Sequence, residues 1–134
     1  LKQTFGKSER LCNLRIISRL FKKGSPEVHT FYLYPFRVLY IYDTPAPQVL
    51  FSVSKRQFKR AVDRNLIRRR CREAYRLHKA PLLSLPGETR PSYIAFLYLA
   101  KEIASYDVIE TAMKQCIKKL EKSLPPAVRE QSNS

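Results

Sequence analysis

Glycine is scarce in this chain: Gly6, Gly24 and Gly87 are all it has among 134 residues. That is too few for a glycine-rich phosphate loop plus its turns, and neither GxGxxG nor GxxxxGK[ST] occurs, which removes the common nucleotide-binding folds. Cysteine is equally thin. Cys12, Cys71 and Cys116 are odd in number and form no C-x-x-C pair, so neither a disulfide framework nor a zinc ribbon fits. The two histidines, His29 and His78, stand far in sequence from any paired ligand. Long apolar runs are missing, since none approaches the roughly 18 residues of a membrane span. The opening Leu1-Lys2-Gln3-Thr4 lacks a signal peptide's apolar stretch. The expectation is a reducing, cytoplasmic setting with no membrane and no disulfide-linked partner. Acidic residues are the last shortage: 11 Asp and Glu face 26 Lys and Arg, a net charge of +15.

What is present fits one folded domain. A hydrophobic content of 44%, with 11% aromatic, can bury a core. A charge of +15 exceeds what solubility asks for, and the expected partner is a polyanion.

The spacing of Leu11, Leu14, Ile17, Leu20 and Phe21 predicts a first helix over residues 8–23, with Ser8 as cap and Gly24-Ser25-Pro26 as stop. Residues 28–42 are dense in Phe, Tyr, Val, Leu and Ile and read as strand, with a bulge or an edge at Pro35. A turn at 44–47 leads to a second β-rich run, 48–54, expected to pair with the first. No Gly or Pro interrupts 57–79, which predicts a helix roughly 35 Å long. Residues 92–100 are nearly all apolar, as a covered central strand would be, and 106–124 form a last helix with Val108, Ala112, Cys116 and Leu120 four apart. Residues 1–124 form the domain, and 125–134 read as a short polar, frayed tail.

The chemistry concentrates in residues 55–79, which hold eleven Lys or Arg against Asp63 and Glu73. Arg60, Arg64, Arg68, Arg72 and Arg76 recur every fourth position and make a slowly turning ridge. Ile67, Cys71, Ala74 and His78 form a separate apolar stripe that can dock on a sheet. Most charge runs are solvated faces with interspersed acids, yet this ridge has almost none, so its charges repel one another by a few tenths of a kcal/mol per pair. Guanidinium forks match phosphate oxygens and stack on bases, which favours nucleic acid over a simple anionic surface. Phe31, Tyr32, Tyr34, Phe36, Tyr40 and Tyr42 add aromatics that either stack unpaired bases or fill the core. A protein-borne nuclease site is not visible. Asp63 and Glu73 lie about 15 Å apart along the helix and cannot share a metal, and the other acids are scattered.

The run Phe51-Ser52-Val53-Ser54-Lys55-Arg56, followed by Arg60 to Arg76 with Arg64-Asn65 and Arg68-Arg69-Arg70 inside it, resembles the Arg-Asn-Arg signature of the bacterial ribonuclease P protein component. Arg10-Leu11, then Phe21-Lys22-Lys23-Gly24, is similar to that family's first helix, and the resemblance spans about 4–122. It implies an α+β fold: a single domain in α-β-β-β-α-β-α order, with a four-stranded sheet and a left-handed βαβ crossover through the basic helix. It also implies a role as the RNA-binding protein subunit of ribonuclease P. There the catalytic RNA performs Mg²⁺-dependent endonucleolytic removal of the 5′ leader from precursor tRNA, and the protein contributes no catalytic residue or metal site of its own. By resemblance Arg56, Arg60, Arg64, Asn65, Arg68, Arg69 and Arg72 meet the catalytic RNA, and Arg76 continues their ridge. Phe21 and Tyr34 match aromatics of the family's leader-binding cleft. Ile17 stands where the family often has another Phe, and the run around Pro35 departs from its usual pattern. The alternatives are a ribosomal or ribosome-assembly RNA-binding protein, a DNA-binding regulator with the Arg helix in a major groove, and a membrane-surface helix.

Overall fold

The computed structural model describes residues 9–42, 48–85 and 91–123. The elements run α1 (Leu14–Phe21), β1 (His29–Leu33), β2 (Phe36–Ile41), β3 (Gln48–Val53), α2 (Ala61–His78), α3 (Ala80–Leu83), β4 (Tyr93–Tyr98) and α4 (Tyr106–Lys122). The α+β order is the expected one, with the single turn α3 added after the basic helix.

The predicted strand over 28–42 is a hairpin that turns at the cis Tyr34–Pro35 peptide. Proline cannot donate to a ladder, and here it stands between the strands. Sheet order is β1-β2-β4-β3. Strand β2 is antiparallel to β1 and β4, while β3 lies parallel to β4. The expectation that β3 pairs with the first β-rich segment is therefore corrected. Strand β4, the most apolar of the four, takes the central position between β2 and β3 and is almost wholly buried. A parallel neighbour needs a long crossover, which α2 and α3 supply.

Side chains alternate across this sheet. Val38, Tyr40, Val49, Phe51, Ile94 and Phe96 point to the face covered by α2 and α4, where the larger core lies. Leu39, Ile41, Tyr93 and Ala95 point to the other face and meet Leu11 and Leu20.

Helix boundaries also shift from the sequence expectation. Helix α1 starts at Leu14 because the Leu11 amide donates to the Val49 carbonyl at 3.0 Å, and a bridge joins Arg10 to Val49. The chain thus runs extended along β3 before Asn13 caps the helix, its Oδ1 accepting from the amides of Arg15 and Ile16. Ser8 lies outside the described residues, as does the tail 125–134. After α1, Gly24 takes a φ of +75°, a left-handed conformation costly for residues with a Cβ. Helix α2 starts at Ala61 rather than near residue 57, because 54–58 fold as a turn. There the Ser54 carbonyl accepts from the Phe58 amide, and the buried Phe58 ring packs 5.9 Å from Tyr98.

The docking stripe of α2 comprises Ile67, Cys71, Ala74 and Tyr75, all buried. His78 sits at its margin, its Nε2 2.9 Å from Glu110 on α4. On α4, Ala112, Cys116 and Leu120 are buried as expected, together with Ile109, Met113 and Ile117. Val108 is 43% exposed instead, since the helix turns it away from the sheet one turn after the Ser105 cap.

Candidate nucleic-acid interface

Helix α2 shows its inner stripe to the core and its basic residues to solvent. Arg60, Arg69 and Arg72 are exposed on it, and Arg56 is exposed in the turn before it. Arg64, Arg68, Arg70 and Arg76 are half-buried along its flanks. Among the described residues acids reach only the ends of the ridge: Arg60 Nε stands 4.0 Å from Asp63, and Arg76 pairs with Glu73. Between them Arg68 lies against Arg64 and Arg72. Its guanidinium pKa is lowered, first by desolvation and then by the charges of those two neighbours. The repulsion expected from the sequence is thus a property of the fold, and a polyanion would relieve it.

Some of these cations have structural duties. Arg64 Nη1 donates to the carbonyls of Phe58 at 2.8 Å and Lys59 at 2.9 Å, tying the turn to the helix start. No side chain caps this N-terminus. Arg68 Nη1 donates to Asn65 Oδ1 at 2.9 Å, which leaves the Asn65 amide nitrogen as a donor pointing from an exposed position. Arg70 Nη1 donates to the Ala104 carbonyl at 2.6 Å, fastening α2 to the segment before α4. Lys79, counted among the basic residues by sequence, is buried and paired with Glu9. No sequence signal separates these cations from the solvated ones, because their partners are backbone carbonyls or residues remote in sequence.

On the far face of the sheet, α1 covers β2 and β4 only in part. A groove of about 440 Å³ remains beside it, bounded by Phe21, Lys22, Lys23, Arg37, Leu39 and Leu97. Phe21 is 42% exposed at its edge. Ile17 lies half-buried on the same helix against the smaller core. Tyr34 stands apart from these two. At the hairpin turn, its hydroxyl donates to Glu102 at 2.9 Å, and its ring lines a separate recess with Val108, Thr111 and Gln115 of α4. That hydrogen bond, together with the Glu102 charge, raises the tyrosine's pKa. Tyr32, which the sequence left open between base stacking and core, is 64% exposed on the groove's side of the sheet.

Other chemistry is quiet. The thiols of Cys71 and Cys116 are pushed up to about 12 by burial, which removes thiolate reactivity at neutral pH. His29 stacks 5.2 Å from Tyr40, and His78 serves the contact with Glu110. Among the described residues no three of His, Cys, Asp or Glu come together as a metal site, and no helix is long and apolar enough to cross a membrane.

Comparison with known proteins places this arrangement. The family model for Ribonuclease P matches residues 5–121. The Ribonuclease P protein component of Porphyromonas gingivalis is 36% identical over 130 residues, covering 91% of each chain. That of Chlorobaculum tepidum is 34% identical over 128 residues, covering 85% of this chain and 80% of its own. The fold is similar to the solved Staphylococcus aureus RNase P protein, with a TM-score of 0.66 at 21% identity over 88% of this chain and 99% of that one. The chain therefore belongs to the ribonuclease P protein component family and is the protein part of an endoribonuclease complex.

Proposed function

We propose that this chain binds the catalytic RNA of ribonuclease P through α2 and the single-stranded 5′ leader of precursor tRNA through the face that carries α1. The observation that carries the reading is the solvent-facing row of arginines on α2, whose middle members have no acidic partner among the described residues. Arg56, Arg60, Arg64, Asn65, Arg68, Arg69, Arg72 and Arg76 are its RNA-facing set, and Arg56, Arg69 and Arg72 are the freest of them. Phosphate contacts of this kind position the protein without reading sequence. Ile17 and Phe21 belong to the leader surface. Tyr34, expected in the same cleft, lies instead at the hairpin turn on the α4 side and is a separate contact outside that surface.

In this reading the reaction is carried by RNA with Mg²⁺, in the cytoplasm. Among the described residues no three of His, Cys, Asp or Glu gather as a metal site, and Glu27, Asp63, Glu73, Glu110 and Glu9 pair singly with Arg19, Arg60, Arg76, His78 and Lys79. The protein's part is to hold the leader and to offset phosphate repulsion between the two RNAs, work that extra divalent ions would otherwise do. A ribosomal role would use the same cations without any effect on tRNA ends.

The test is reconstitution. The purified chain alone leaves precursor tRNA intact, and adding it to its cognate RNA raises 5′ cleavage at low Mg²⁺. If about five phosphates are contacted, log affinity for the RNA falls against log salt with a slope of roughly −3.5 to −4.5. Metal-dependent cleavage by the RNA-free protein, or a slope near zero, contradicts the proposal.

A further inference from the structure

The groove beside α1 has an aromatic on its helical side, Phe21, and basic residues at its rim, Lys22, Lys23 and Arg37. What it needs to hold a single strand is a second stacking surface on the sheet side. Residues 30, 32, 37 and 39 share the face that α1 covers, by the alternation of β1 and β2. Of these, Tyr32 is the aromatic. It stands directly across the hairpin from Arg37, whose guanidinium carbon lies 5.4 Å from the centre of the tyrosine ring. Arg37 Nε also reaches the Thr30 hydroxyl at 3.4 Å. The guanidinium is thus held over one side of the ring and at the rim of the groove together.

We infer that Tyr32 and Arg37 form a one-nucleotide subsite for single-stranded RNA where Arg37 lines this groove and Tyr32 adjoins it, with the base stacked on Tyr32 and its phosphate on Arg37. The inference rests on the leader-binding reading of the groove and adds the residues that read one nucleotide there. A tyrosine left 64% exposed beside a cation is poorly explained by packing, because neither side chain is needed to close the core. A nucleotide uses both: the π-face of any base stacks on the ring, and the planar guanidinium takes phosphate oxygens in a bidentate fashion. The pre-formed cation–π contact keeps the ring upright before RNA arrives, so less side-chain freedom is lost on binding. The subsite accepts every base and discriminates against a missing one.

The experiment uses the full chain assembled with its catalytic RNA. Affinity is measured for precursor tRNA with a leader, without a leader, and with a leader carrying one abasic nucleotide at each position in turn. Tyr32→Ala lowers affinity for the leader-bearing precursor about 5- to 150-fold, the range that one base–aromatic stack spans, and leaves the leaderless precursor unchanged. Tyr32→Phe retains wild-type affinity, since the ring and not its hydroxyl makes the contact. One abasic position weakens the wild type by a similar factor and does not weaken Tyr32→Ala further. Arg37→Gln loses leader affinity and flattens its salt dependence by about one phosphate.

Phe21→Ala, kept folded by circular dichroism, separates the two levels of the argument. If it loses leader affinity while Tyr32→Ala does not, the subsite is wrong and the groove stands. If neither variant changes leader affinity, the groove reading falls and the subsite with it. A loss confined to Tyr34→Ala also overturns the inference.

Discussion

The two faces of the sheet are built to different depths. On one, α2 and α4 seal a continuous core in which Phe96 touches the rings of Phe36, Phe51 and Tyr75 at 5.7, 5.3 and 6.2 Å. On the other, an eight-residue helix covers a smaller cluster and leaves Phe21 and Arg37 at a groove, with Tyr32 exposed beside Arg37. The contrast shows how one small domain can be rigid and still offer a surface that a flexible strand can enter. The sealed face fixes α2, so its outer arginines form a set of charges at fixed spacing. The open face gives up packing to keep aromatic edges available. In the proposed reading, affinity for a structured RNA and for a single strand arise on opposite sides of the same four strands.

The largest way to break the contrast is to hollow the sealed face. Phe96→Ala costs about 3 to 5 kcal/mol of stability in urea unfolding, because the ring is fully enclosed and its cavity cannot collapse. A loss below about 1 kcal/mol would mean the two faces are equally shallow. Phe21→Ala on the open face costs only about 1 kcal/mol, since the ring is already 42% exposed. On the outer side of α2, Arg64→Ala with Arg68→Ala weakens assembly with the catalytic RNA and makes its salt slope shallower by roughly 1.5, two phosphate contacts being lost. Arg64→Ala adds a stability cost through its bonds to Phe58 and Lys59, so Arg69→Ala with Arg72→Ala, which lack such bonds, is the cleaner pair.

The smallest effect concerns the seam between α2 and α4. The hydrogen bond from His78, the largest influence on Glu110, lowers that carboxyl below its ordinary value of 4.5, and Tyr106 adds a contact at 3.3 Å. A depressed acid contributes stability that is fully present above about pH 4.5 and is lost as pH falls through its lowered folded value. His78→Ala should therefore be less stable than wild type above that pH, and the part of the difference owed to Glu110 should shrink below it. Unfolding curves at pH 3 and pH 6 check this, and a gap that widens on acidification contradicts it.

Much of this was legible in the sequence, for identifiable reasons. The 3.6-residue stripe of Ile67, Cys71 and Ala74 is legible because these apolar residues recur at three- and four-residue spacing among charged ones. The apolar run of β4 marks a strand buried on both sides. The pairing of β3 was not legible, since a β-rich run carries no record of its neighbour, and parallel partners are set by the crossover. The start of α1 was obscured because Leu11 obeys a helical spacing while its amide is claimed by β3. At the interface, composition revealed the arginines but not that Arg64 and Arg70 spend bonds on backbone carbonyls, nor that Lys79 is buried. Tyr32 was one of six clustered aromatics, and only the strand register shows that it shares a face with Arg37.

The central claim is that α2 serves the catalytic RNA and the α1 face serves the leader, as two separable surfaces. The most direct measurement is a two-by-two comparison of complexes carrying Arg69→Ala with Arg72→Ala, or Phe21→Ala with Tyr32→Ala. Each is assayed for assembly with the catalytic RNA and for the ratio of affinities toward leader-bearing and leaderless precursor tRNA. The account predicts that the arginine pair weakens assembly and leaves the leader ratio intact, while the aromatic pair assembles normally and drives the ratio toward one. Arginine variants that lose the leader ratio while assembling normally, or aromatic variants that fail to assemble although folded, would contradict it.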